Sequence, residues 1–213
     1  LWLMQCENLA IHRIRITSDR RLLNSDGIDV DACKNVTISD CFISTEDDAL
    51  VLRAIQKMFT SPAICENVVV SNCVLESSCQ CVRVGCPSDH VIRNCLFSNI
   101  RMSGRNGINF DYPKRYLTKG STGGADISGI SFSNVDATCD GYPIRIGVED
   151  GVELTRVAGL SFSNMRLKSA LPCVIQGNAK SIIEDVRFSD VQLETAGVQA
   201  IIHSQCKGVT LNN

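Results

Sequence analysis

Seven segments of this chain can be laid over one another: "NLAIHRIRI", "NVTISDCFI", "NVVVSNCVL", "VIRNCLFSNIRM", "GISFSNVDA", "GLSFSNMRL" and "DVRFSDVQL", with "GVTLNN" closing the chain as an eighth. Ser39, Ser71, Ser98, Ser133, Ser163 and Ser189 mark equivalent points, at intervals of 32, 27, 35, 30 and 26 residues. Within each unit apolar and polar residues alternate and β-branched residues are common, the period-two pattern of strands, while helical i, i+3, i+4 stripes are missing. A unit of this size cannot bury its apolar face alone, so neighbours must stack. A propeller blade of four strands needs about 40 or more residues, which these elastic, shorter units do not supply. A sandwich with strands every 8 to 12 residues does not explain why equivalent residues recur at one longer interval. The pattern predicts an all-β chain, a single-stranded right-handed parallel β-helix forming one domain over residues 1–213.

The twelve cysteines follow the repeat: Cys6, Cys33 and Cys65 head "CEN", "CKN" and "CEN", Cys206 heads "CKG", and Cys41 and Cys73 follow Ser-Asp and Ser-Asn pairs. Small apolar residues at one place in a repeat are expected to fill a stacked interior rather than form bridges. Asn8, Asn35 and Asn67 share a corner of successive coils and fit either a ladder of amides or a series of turns. A 44% hydrophobic content is ample for a core, and a net charge of −2 provides no field to draw the chain to nucleic acid. No apolar run is long enough to span a bilayer, and "LWLMQCENLAIHRIRI" lacks the regions of a signal peptide. The chain reads as starting inside a fold, with N-terminal coils expected before residue 1 and an open coil end as a surface for self-association.

Acids stand out in "NSDGIDVDACKNVTISDCFISTEDDALVL", residues 24 to 52. Aligning the alternation of "DGIDVDA" with "DALVLRA" sets Ile28 over Leu50 and Val30 over Leu52, which brings Asp26 over Asp48, one strand spacing of roughly 4.8 Å away. Gln80 and Asn106 continue that column, and Asp29, Val51, Arg83, Asn109 and Arg145 form an outward column beside it. Clustered carboxylates repel and raise one another's pKa, so the arrangement requires a reason. Three are open: turn residues that accept backbone amides, a calcium site that Asp29 and Asp31 could join, or paired carboxyls for glycosidic cleavage. His12, His90 and His203 do not share a register, which disfavours zinc or a histidine triad. The sequon Asn35-Val36-Thr37 lies at a strand start.

"NSDGID" and, one coil later, "EDDALVL" resemble the first two signatures of glycoside hydrolase family 28, the polygalacturonases and related pectin hydrolases, at that family's spacing. The resemblance implies a pectin-lyase-like solenoid and hydrolysis with inversion, without a metal or other cofactor. It implies Asp47 as the general acid, kept protonated by the surrounding negative field, with Asp26 and Asp48 holding and activating the water. Two later motifs depart. "CQC" stands where the family has Gly-His-Gly, so Gln80 replaces a histidine, and "NFD" stands for Arg-Ile-Lys, so Asn109 and Asp111 replace two cations. Arg83 and Arg145, on either side of Asn109, and Arg53 after the Asp-Asp strand are the substrate-facing replacements, each set against an ordinary role as a surface cation. Asn24 and Arg105 join them, and the stretch "RNGINFDYPKRYLTKGSTGG" with Tyr112, Lys114 and Arg115 is expected to be an irregular insertion walling the cleft.

The expectation is a secreted or periplasmic hydrolase whose partner is a galacturonate- or rhamnose-containing polysaccharide or oligosaccharide. Two other classes stay open: a non-catalytic, carbohydrate-binding β-helix, and a calcium-dependent uronan lyase or epimerase.

Overall fold

The computed structural model describes residues 1–117, 123–197 and 199–212. Its strands are β1 (Trp2–Met4), β2 (Glu7–His12), β3 (Arg15–Thr17), β4 (Ile28–Asp31), β5 (Lys34–Ser39), β6 (Phe42–Thr45), β7 (Leu50–Ala54), β8 (Ile64–Ser88), β9 (Val91–Tyr112), β10 (Asp126–Cys139), β11 (Ile144–Val148), β12 (Arg156–Ser169), β13 (Cys173–Gln176), β14 (Ile183–Thr195), β15 (Ile201–Ser204) and β16 (Cys206–Asn212). All the pairings between them are parallel, and each coil pairs with the next. The result is the expected parallel β-helix.

Three faces run up the stack. One consists of β1, β4, β7, the last parts of β8 and β9, then β11, β13 and β15. A second passes from β2 through β5 and the early part of β8 to β16, and a third starts at β3 and β6. The serine register is the one read from the repeat: Ser39, Ser71, Ser98, Ser133, Ser163 and Ser189 pair in succession.

Stacking makes each inward position a column of like residues. Phe97, Phe132, Phe162 and Phe188 pile up with ring centroids 4.4, 5.6 and 5.1 Å apart and planes within 20°. Beside them Cys65, Ile92, Ile127, Val157 and Ile183 form a second apolar column. The twelve cysteines are free thiols, nine of them buried, so they serve as small interior apolar groups.

The corners are built from left-handed residues. Asn8, Asn35 and Asn67 have φ of 58°, 54° and 56°, and the side-chain amides of Asn35 and Asn67 each donate to the asparagine of the preceding coil. Of the two readings of this corner, the amide ladder is therefore present, and the sequon asparagine is its middle rung. A second ladder joins Asp40, Asn72, Asn99, Asn134 and Asn164 at the next corner. Asparagine tolerates positive φ because its short polar side chain bonds locally.

The stretch from Arg105 to Tyr112 is not an irregular insertion. It is the end of β9, in register with β11, and Tyr112 is 4% exposed inside the coil rather than on a cleft wall. Alternation held through this segment places Ile108, Phe110 and Tyr112 inward. A 3₁₀ turn at Lys114–Tyr116 follows, and Thr118 to Thr122 lie outside the described residues.

Candidate active site

The acids sit where the first face turns outward. Ile28 pairs with Leu50, Asp29 with Val51, Val30 with Leu52 and Asp31 with Arg53. Gly27 is required here, since a Cβ would collide with the Ala49 carbonyl oxygen and the Ile43 methyl of neighbouring strands. Its N–H donates to the Asp48 carbonyl at 2.9 Å, which locks the Asp26 coil onto the Asp48 coil. The outward column is also as read: Val51 pairs with Arg83, Arg83 with Asn109 and Asn109 with Arg145, while Gln80 pairs with Asn106.

The turn between β6 and β7 presents Asp47 and Asp48 on successive residues. Thr45 and Ser77 hydroxyls both donate to the Asp47 carbonyl at 2.7 Å, fixing the backbone. The Asp47 carboxylate accepts the Asp48 N–H at 2.9 Å, and Asp31 accepts the Ile55 N–H at 3.2 Å. Of the acids read as turn residues, Asp47 thus accepts a backbone amide within its own turn.

Arginines hold the remaining acids. Arg53 forks between two carboxylates, 2.6 Å from Asp29 and 3.0 Å from Asp26. Arg83 reaches from the next coil to Asp48 at 2.9 Å, with 10% of its side chain and 1% of that of Asp48 exposed. Burial pushes Asp48 above the usual carboxylate range, and the Arg83 guanidinium pulls it back. Burial drives Asp29 up to about 7, against the pull of Arg53 and with Asp26 and Asp48 adding repulsion. One oxygen on each of Asp29, Asp31 and Asp48 is buried without a hydrogen-bond partner.

The other expected substrate-facing residues divide. Gln80 is buried, with its amide nitrogen 3.5 Å from the Cys79 sulfur and its amide oxygen unpartnered. Asn109 is 4% exposed and its side-chain oxygen is also unpartnered. Arg145 is more open, 3.7 Å from Asp111 and 5.5 Å above the Tyr142 ring. Asn24 and Arg105 are exposed and, among the described residues, make no side-chain bond to the acids. Lys114 and Arg115 lie on the 3₁₀ turn, where Arg115 covers the Tyr116 ring at 5.0 Å.

Asp47, Asp48 and Cys79 place one ligand atom each within 4.8 Å of one another. This set does not fit a resident cation, because the Arg83 guanidinium already pairs with Asp48 and burial pushes the Cys79 thiol up to about 12, keeping it protonated. A cavity of about 40 Å³ lies past the strand ends, lined by Ile55, Cys86, Tyr112, Tyr116 and Val152 among others, and none of the three candidate acids lines it. Sequence reasoning placed Asp29 and Arg83 in one column without foreseeing that arginines would pair with the acids. Tyr116, whose ring lies 5.9 Å from the Arg83 guanidinium, gave no signal, since it sits outside the repeat.

Among the described residues, no helix is long and apolar enough to cross a membrane. Comparison with known proteins agrees with the geometry at two levels. Residues 1–65, which contain Asp26, Asp47 and Asp48, match the model of Glycosyl hydrolases family 28. A probable polygalacturonase of Arabidopsis thaliana is 40% identical over 50 residues, 24% of this chain and 11% of that protein. The family 28 exopolygalacturonase of Yersinia enterocolitica superposes over 97% of this chain and 43% of its own, with a TM-score of 0.63 at 14% identity. The chain thus spans less than half the length of either protein. The motif-bearing coils are similar in sequence to glycosyl hydrolases family 28, and the chain as a whole has a parallel β-helix fold similar to that of a family 28 exopolygalacturonase.

Proposed function

We propose that the protein hydrolyses glycosidic bonds in a pectic polysaccharide containing galacturonate or rhamnose, with inversion at the anomeric carbon. The observation that carries this reading is the division of charge among three neighbouring acids. Arg53 pairs with Asp26 and Arg83 with Asp48, whereas among the described residues no cation pairs with Asp47, whose carboxylate accepts the Asp48 amide. Asp26 and Asp48, each beside a guanidinium, are the pair we assign to taking a proton from water, and Asp47, on the turn next to them, is the one we assign to donating it.

In this mechanism Asp47 protonates the leaving glycosidic oxygen as its bond to the anomeric carbon breaks. A water deprotonated by Asp26 and Asp48 attacks that carbon from the opposite face, which requires roughly 6.5 to 9.5 Å between acid and base carboxyls. Of the residues expected to face substrate, Asn24, Gln80, Arg105, Asn109 and Arg145 are the proposed contact set. Arg53 and Arg83 are already committed to carboxylates, so Arg145 is the cation best placed for a uronate. Asp111 beside it disfavours a carboxylate at the neighbouring position, which argues against an unbroken run of uronates. A polymeric wall substrate implies a secreted or periplasmic location.

Reducing-end release from pectic oligosaccharides, with the anomer followed by NMR, tests the proposal. The parent should release the inverted anomer, and Asp47→Asn should lower kcat by about 10²- to 10⁴-fold, the usual contribution of a positioned acid. Equal rates for parent and Asp47→Asn would remove Asp47 from the mechanism. An unsaturated product lost on chelation would assign a lyase, and binding without cleavage by the parent would assign a carbohydrate-binding protein.

A further inference from the structure

We infer that Arg83 is a positioning residue for this reaction, holding Asp48 in the orientation and ionised state that a water-activating carboxylate needs. The inference rests on the hydrolytic reading of the site and assigns Arg83 a role other than contact with substrate.

The geometry is that of a built pair. Arg83 and Asp48 are 35 residues apart in sequence and meet only because β8 stacks one coil beyond β7. The guanidinium reaches Asp48 with one terminal nitrogen at 2.9 Å, while its other terminal nitrogen lies 3.4 Å from the Cys86 sulfur. The Tyr116 ring lies on a further side at 5.9 Å. With only 10% of its side chain exposed, Arg83 has little surface left for a sugar.

The carboxylates around Asp48 work against its charge. Asp26 and Asp29 lie across the strand and Asp47 precedes it, while Cys79 and Cys86 on the next coil are thiols that burial keeps protonated and uncharged. Arg53 is spent on Asp26 and Asp29. Among the described residues, Arg83 is the cation paired with Asp48. A buried carboxylate without a partner takes up a proton, and a neutral carboxylic acid cannot accept one from water. Burial already raises Asp48, so removing Arg83 should raise it further.

The test follows kcat/KM against pH in the parent, Arg83→Met and Arg83→Lys, beside a carboxyl-carbon NMR titration of Asp48 in each. In Arg83→Met the acid limb and the Asp48 midpoint should rise together by a pH unit or more, which lowers kcat/KM about tenfold on that limb. Arg83→Lys should return both toward the parent. An unmoved acid limb and Asp48 midpoint in Arg83→Met, with a raised KM alone, would overturn the inference and make Arg83 a substrate contact. Should Arg83→Met not fold, Arg83→Lys decides: a longer, weaker contact should still shift the midpoint upward, and an unchanged midpoint with a raised KM overturns the inference. If the parent cleaves no glycan, the hydrolytic reading fails, and the NMR titration still shows whether Arg83 sets the Asp48 charge.

Discussion

Asp29 carries the most perturbed carboxyl resolved in the acid strip, and the cause is local. It sits outward on β4, yet is 6% exposed because Arg53 and neighbouring coils close over it. Burial lifts it from 3.8 to about 7, so between those values the folded chain holds a proton that the unfolded chain has released. Stability should therefore fall as pH rises through that window and level off above it. Asp29→Asn cannot titrate, keeps a polar group facing Arg53, and should flatten the fall in Tm measured by calorimetry from about pH 4 to 7. An equally steep fall in the variant would show that Asp29 does not bind the proton. The same residue makes a point about legibility. Its place in the outward column follows from alternation, whereas its burial depends on an arginine 24 residues away.

At the scale of the element, columns rather than single strands hold the chain together. Phe132 stacks between Phe97 and Phe162 and meets the edge of Phe110 at 6.3 Å, so it belongs to both the second face and the interior of the first. Phe132→Ala should cost about 3 to 5 kcal/mol in denaturant unfolding, because rigid coils on either side cannot collapse into the cavity. A cost below about 1 kcal/mol would mean that the coils relax freely. The column was legible in the recurring "SF" and "LF" of the repeat, and so was one amide ladder. The second ladder was written as plainly in the Asp or Asn that follows each marker serine, but that dipeptide reads as strand chemistry until the coil corner is located. Tyr112 shows the opposite error: a sequence rich in Gly, Asn and Pro reads as a loop, yet strand alternation persists through it and packing on β8 and β11 wins.

A solenoid of residues 1–213 by themselves, in which each coil touches only its neighbours, should be least stable at its ends. Burial bears this gradient out. β4 is buried at every position and β7 at all but Arg53, while β1, β2 and β3 have no fully buried residue and neither do β15 and β16. Native-state hydrogen exchange should find the slowest amides in β7 to β12 and the fastest in β1 to β3 and β15 to β16. Uniform protection along the chain would contradict a nearest-neighbour solenoid. The candidate site spans β4, β7 and β8, at the edge of the most protected coils, so its acids rest on a rigid platform.

The sequence by itself determined the period, the parity of each strand and the register of one coil on the next. Those properties are one-dimensional: two-residue alternation settles which side chains point in, and the interval between like residues settles which ones stack. From them came the β-helix, the apolar cysteines, and Asp26 over Asp48. Only the tertiary structure decided which cation meets which acid. Arginine reaches its partner through a long side chain, so that partner depends on the coil beside it and on what closes over it. That is why Arg53 and Arg83, which alternation could only place on the outward face, prove to be held by the acids.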